Sequence, residues 1–291
     1  MITKLLLALI VVVNGAFVVA FIRDLIRHRD FLKKEPGKGI TMAFYAAIVF
    51  LLSTFGISDF AIGTSLLPRF KWVSTEKLPG TLNTECVVPV AAMALCYISA
   101  ITCDTVTLVV AIVCQVIGSY VSPRAVVKLP ADKIKIGVCT GLIVVALIIL
   151  AGKLGIYPSG GEATGFTGVK LILFGALMFI YGALNNIGIG SYALTQATVY
   201  AMGMNPAAAF PIMMGACTFS VPVGSMQFIK LDSYSRKQTF FTSVFGCVGV
   251  LIAVFIVKSM DTEILKWVVL AVIVYSVVTM LRGMKKSKAA A

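Results

Sequence analysis

Nine long apolar stretches separated by short polar connections set the pattern of this chain: residues 5–22, 40–57, 82–99, 105–121, 134–151, 171–187, 207–229, 239–257 and 264–281. A bilayer core takes about 17–25 apolar residues per spanning helix, and each stretch reaches that range. The pattern therefore predicts an all-α, polytopic membrane protein. Two of the stretches are interrupted in the same way. Ser58-Asp59 and Asn185-Asn186 place polar groups within apolar helices, and Gly63 and Gly188/Gly190 follow shortly after. Asn, Asp and Ser compete with the helix for its backbone hydrogen bonds, and glycine frees the chain sterically. Broken backbone at membrane depth survives only where protein buries it or water lines it, so both breaks are expected to face the interior.

The distribution of Lys and Arg fixes how the stretches are threaded. Six lie in 23–38, three in 69–80, four in 122–135, three in 230–238 and four in 282–288. The connections 100–104 and 197–206 hold none, and 152–170 and 258–266 hold two each. Cytoplasmic connections collect basic residues. If every stretch crosses once, fifteen basic residues fall inside and ten outside. If the chain turns back after 57 and again after 187, the split becomes twenty and five. The second threading is preferred.

That threading gives the halves opposite orientation. Residues 40–151 form a first repeat and 171–282 a second, each a broken (re-entrant) helical hairpin followed by three transmembrane helices. Residues 1–39 add a leading helix and a basic cytoplasmic loop, 152–170 an extracytoplasmic linker, and 283–291 a basic cytoplasmic tail. The N-terminus is expected outside and the C-terminus in the cytoplasm, with the chain in the cell (inner) membrane. Laying 50–65 over 178–193 sets Ser58-Asp59 on or beside Asn185-Asn186. Inverted repeats with paired helix breaks point to the site of a secondary transporter.

Composition agrees with a membrane setting. The 291 residues are 59% hydrophobic and 13% charged, more apolar surface than a soluble domain of this size can bury. The net charge of +13 is explained by the inner-face bias rather than by nucleic acid. Seven cysteines form no CxxC pair, and His28 is the one histidine. Small-residue packing is the expected role of the cysteines; no metal site or cofactor is implied. The basic segment behind 5–22 reads as a stop-transfer signal, so that stretch is expected to be a retained helix and not a cleaved leader.

The broken hairpins also carry a resemblance. Asn185-Asn186-Ile187-Gly188-Ile189-Gly190-Ser191 resembles the glycine-rich stretch that opens each repeat of the sulfite-exporter (TauE/SafE-like) permease family. Residues 60–68, ending at Pro68, resemble that family's glycine-rich turn followed by a proline, although Ala61 and Ile62 stand where glycines are usual. Proline-containing helices follow at 84–89 and 205–211. The resemblance spans about residues 40–282 and implies transport of small sulfur-containing anions such as sulfite, thiosulfate or organic sulfonates.

An anion in a membrane protein is best met by the N–H groups at the start of a half-helix, backed by the helix dipole. Gly63, Thr64 and Ser65, and Asn185, Asn186, Gly188, Gly190 and Ser191, are the residues expected to bind it, with capping and packing of a tight hairpin as the alternative role. Asp59 and Glu85 are the acids within apolar stretches. A charge at mid-membrane costs about 2.5 kcal/mol or more, so each is a candidate for coupling to H+ or another ion, or for organising the pocket. Glu85 also fits a first-turn acid beside Thr81 and Asn83. Arg69 and Arg124 fit topology and lipid headgroups better than substrate. Gln115, Gln196 and Gln227 are possible interior contacts, and Gly137/Gly141 and Gly246/Gly249 read as helix packing.

The expected function is thus a permease for a small anion working by alternating access. A channel, or a membrane subunit serving a partner, is the alternative. Homo-oligomerisation is left open. An intramembrane enzyme is disfavoured, because two facing aspartates or a membrane-embedded histidine base are lacking. No P-loop pattern is present to supply energy from ATP.

Overall fold

The structure is a computed structural model that describes residues 2–74, 76–121, 161–185 and 191–259, with single helical residues between 143 and 282. The described residues are helical throughout apart from turns and one isolated bridge, Ala163 to Met204. In chain order the helices are α1 (Ile2–Arg27), α2 (Phe31–Lys34), α3 (Gly39–Thr54), α4 (Asp59–Arg69), α5 (Leu78–Ala100) and α6 (Thr105–Val121). They continue with α7 (Gly168–Asn185), α8 (Tyr192–Ala201), α9 (Ala209–Lys230), α10 (Arg236–Phe241) and α11 (Cys247–Ser259). A 3-10 turn, Pro206–Ala208, leads into α9, and a π-helical turn, Thr242–Gly246, joins α10 to α11. The stretch 134–151 with Gly137/Gly141, the start of the linker, Arg124, Asn186, Gly188, Gly190 and the tail 283–291 lie outside the described residues.

Five described segments are long and apolar enough to cross a membrane: Lys4–Arg27, Gly80–Ile98, Gly168–Asn185, Pro206–Lys230 and Arg236–Ile256. Burial supports a lipid setting. Large apolar side chains such as Val12, Phe44, Val169, Ile172 and Phe255 point outward, while Thr107, Gln115, Thr195, Gln196, Gln238 and Thr242 are packed inside. A soluble fold would bury the first set and expose much of the second. Gln227 is the exception among the glutamines expected inside; it lies exposed near the end of α9.

At the centre α5 lies along α9. Around this pair, α6 packs on α7 and α3 packs on α11. Each of these outer contacts closes over glycine. A Cβ on Gly118 would run into the Phe179 carbonyl, and one on Gly182 into the Gln115 carbonyl. On the other seam a Cβ on Gly249 would meet the Ala47 carbonyl, and one on Gly246 would stand 2.8 Å from Pro89. Backbones that touch need small residues, which bears out the packing role expected of Gly246/Gly249.

Helix α1 is fastened by a polar contact. Pro222 in α9 has no N–H to give the carbonyl four residues earlier, that of Thr218. Asn14 of α1 donates its amide to that carbonyl at 3.2 Å and to the Thr218 hydroxyl at 3.0 Å.

The connections sort into two faces. On one, Ser233 Oγ donates to the Glu76 carbonyl at 3.5 Å and Lys237 Nζ to the Gly37 carbonyl at 2.7 Å. On the other, the Asp104 N–H donates to Thr164 O and the Asn205 N–H to Ala163 O, both at 2.8 Å. Helices α3 and α4 therefore leave the first face and return to it, and α7 and α8 leave the second and return to it. Among the described residues, the first face carries the basic connections 23–38, 69–80 and 230–238. Lys237 on this face is buried, because its ammonium is held by the Glu35 and Gly37 carbonyls.

Candidate functional site

The first break comes earlier than the polar residues suggest. Helix α3 ends in a Schellman turn: Gly56 N–H donates to Ser53 O at 2.9 Å and Ile57 N–H to Leu52 O at 3.3 Å. Gly56 adopts φ +98°, and a Cβ there would meet the Gln196 side chain. Gln196 of α8 donates to the exposed carbonyl of Phe55 at 3.2 Å, so one half of the chain caps the broken helix of the other. Ser58 and Asp59 then begin α4 rather than end α3, with Ile62 N–H bonded to Ser58 O at 3.2 Å.

This start corrects the expected anion site. Gly63, Thr64 and Ser65 sit a full turn inside α4, where their N–H groups are already used by the helix. Thr64 turns outward, and its hydroxyl donates back to Phe60 O at 2.6 Å. Of Ser65 only the helical backbone is described. Segment 60–68 is accordingly helix with Pro68 in its last turn, not the glycine-rich turn of the resemblance. The N-terminus of α4 already has a carboxyl group of its own. Asp59, 5% exposed, turns its carboxylate onto the N–H groups of residues 59 and 60 and takes Ser53 Oγ at 3.4 Å.

Of the second expected break only the two edges are described. Asn185 closes α7, and Ser191 stands at the N-cap of α8 without a capping hydrogen bond from its side chain. Its hydroxyl is 3.4 Å from Cys217 Sγ, which also receives Gln115 Nε2 at 3.3 Å.

Between the two half-helix starts lies a cavity of about 10 Å³, close to the least space that holds one water. Ser58, Asp59, Phe60, Cys86 and Val90 line it from one part of the chain; Asn185, Ser191, Tyr192, Cys217 and Val221 line it from the other. The two sets match in pairs: Asp59 with Ser191, Phe60 with Tyr192, Cys86 with Cys217, Val90 with Val221. These four pairs are 131 or 132 residues apart, while the remaining two lining residues, Ser58 and Asn185, are 127 apart. The difference is the Schellman turn, which ends α3 before the polar pair while α7 runs through to Asn185.

Glu85 does not line the cavity and is not a first-turn acid. It is the eighth residue of α5, 1% exposed. Its Oε2 accepts from Gln238 Nε2 at 2.9 Å and Thr242 Oγ1 at 3.2 Å. Gly63 lies above it, and a Cβ on that glycine would be 3.4 Å from Glu85 Oε1 and 3.3 Å from the Tyr45 hydroxyl.

Sequence reading missed Cys86, Cys217, Gln238 and Thr242. The cysteines passed as packing residues because neither stands near a polar break, and Gln238 and Thr242 because they open an apolar stretch. Among the described residues no group of three His, Cys, Asp or Glu is placed to hold a metal. No protein-family model, curated protein or solved structure matches the chain.

Proposed function

We propose that the chain is a secondary transporter that carries a small anion by alternating access at the interface of two inverted repeats in the cell membrane. The observation that carries the reading is the paired lining of a buried cavity by two half-helix starts that enter from opposite faces. The exchange of partners around α5 and α9 also supports it, since α3, the first helix of one half, packs on α11 of the other, and α7, the first helix of the second, packs on α6 of the first. The Lys- and Arg-rich face would be cytoplasmic, with the N-terminus outside and the C-terminus inside.

The two ends are chemically unlike. That of α4 is satisfied by Asp59, whereas α8 begins at Ser191 with no acid in its first turn. A substrate anion is therefore expected at the α8 end, held by helix N–H groups, Ser191 and Asn185. Asp59 across the cavity sets the condition for entry. At 4 Å and an effective dielectric of 20, two unit charges interact by about 4 kcal/mol, so the anion enters with Asp59 neutral or with an accompanying cation. The resemblance to the sulfite-exporter family narrows the substrate to sulfite, thiosulfate or an organic sulfonate; Gly188 and Gly190 carry that resemblance in the second half.

The test is uptake by purified protein in proteoliposomes. Saturable uptake of one such anion, inhibited by the others, is expected, and preloaded substrate should accelerate it by exchange. Non-saturating flux would make the chain a channel. Inert anions alongside transported cations or neutral solutes would end the anion assignment.

A further inference from the structure

Glu85 is a carboxyl group in the middle of the protein with no cation beside it among the described residues. Lone buried charge is expensive in a membrane interior, and removing one partner from a buried pair is strongly destabilising. Its surroundings offer a hydrogen-bond partner to each of its protonation states. In the ionised state Oε2 takes the Gln238 amide N–H and the Thr242 hydroxyl. In the neutral state a carboxyl group becomes a donor and needs an acceptor. Gln238 Oε1 is buried and has no partner among the described residues. Half a turn of that amide exchanges its oxygen and nitrogen, and brings the free acceptor to the place 2.9 Å from Glu85 where Nε2 stands. The Tyr45 hydroxyl, likewise buried and unpartnered among the described residues, faces Gly63 as Glu85 Oε1 does. The donors come from the last turn of α10 and the first residue of its π-helical turn, a distortion frequent at functional sites.

We propose that Glu85 is a proton-binding site in which Gln238 serves as a two-way partner. A hydronium ion from solvent gives its proton to Oε2 and leaves as water, the Gln238 amide turns from donor to acceptor, and Thr242 keeps the carboxyl in place. Because Glu85 belongs to the first half and Gln238 and Thr242 to the second, each proton changes a bond between the halves. Its role as the coupling site rests on the transporter reading; proton binding itself does not.

Titratable and charged groups face Glu85 from several helices. Tyr45 faces it from α3 and Asp59 from α4, while Cys86 follows it in α5. Cys217 on α9 and Cys247 at the start of α11 are neutral thiols further off. On α10, Arg236 is committed to Asp24 of α1 and to Asp232, and Lys237 to two carbonyls.

Infrared difference spectra of the full chain in lipid, between acid and alkaline pH, test the proposal directly. The carbonyl stretch of a neutral carboxyl should appear on acidification. It should lose a component in Glu85→Gln and keep that component in Asp59→Asn. Thr242→Val removes one donor to the ionised form and should move the midpoint of that component toward higher pH by about one unit. This second variant retains the acid, so the proposal stays testable if Glu85→Gln does not fold. A spectrum unchanged in Glu85→Gln, or a midpoint unmoved in Thr242→Val, overturns the site. Proton binding without transport of any anion would end the transporter reading and leave the site standing; anion transport without the Glu85 component would do the reverse.

Discussion

Arg236 grips Asp24 at two points, Nε to Oδ2 at 2.7 Å and Nη2 to Oδ1 at 3.2 Å, and the Tyr234 hydroxyl donates to the same carboxylate. The pair joins the end of α1 to the start of α10, and both side chains are nearly buried. Planar two-point pairing is particular to Arg. Arg236→Ala leaves a buried carboxylate without its partner and is expected to cost about 3 kcal/mol. Asp232, 64% exposed, pairs with the same guanidinium from the solvent side, and its loss is expected to cost less than about 1 kcal/mol. Thermal unfolding of Arg236→Ala beside Asp232→Asn checks the order.

The threading of the chain is open to chemical labelling. Single cysteines at Glu76 and Leu231 in a Cys-free background should react with an impermeant thiol reagent from one side, and those at Thr102 and Glu162 from the other. Reaction of 76 and 231 from opposite sides would remove the first returning hairpin. Lys237 is a poor probe because it is buried.

Glycine packing predicts a sharp contrast. Gly118→Ala pushes a methyl group into the Phe179 carbonyl across the α6–α7 seam, whereas a Cβ on Gly224 meets nothing within 4 Å. The first is expected to destabilise by about 1–3 kcal/mol, as overpacking does, and the second to be silent. Melting temperatures in detergent read the difference.

Substrate affinity should separate two hydroxyls that look alike in the sequence. Ser191→Ala removes a group from the cavity wall and should weaken anion binding by roughly 2- to 12-fold, the worth of about one neutral hydrogen bond. Thr64→Ala should leave it unchanged, since Thr64 bonds its own helix and faces outward. Equal effects would return Thr64 to the site.

Hydropathy made the long apolar helices legible, because a bilayer penalises unpaired polar backbone. The position of the first break was not legible, because Gly56 in FGISD looks no more special than Gly63 until Phe55 needs a cap. Asp59 was recognisable as an acid out of place, and Ser191 as a residue at a helix start. Cys86 and Cys217 were not, since only tertiary packing brings those two depths of α5 and α9 to one cavity. Glu85 looked like a first-turn acid because the apolar stretch begins at Leu82; helix α5 begins four residues earlier, at Leu78. The segments that clasp α10, around Glu35 and Asp24, looked like topological charge. Glu35 instead accepts from Ser235 Oγ at 2.6 Å and from the Lys237 N–H at 2.9 Å, a cap supplied from 200 residues away.

The even division of the cavity wall has a consequence for assembly from parts. Each half contributes five residues, so neither fragment encloses anything alone, and recovery of the site should require both in equal stoichiometry. Like pairs would not do. Two copies of the first half would set one Asp59 against another across a space that admits a single water, and two copies of the second would offer paired serines with no acid at all. Only the unlike pairing leaves one ionisable group facing the place where an anion would rest.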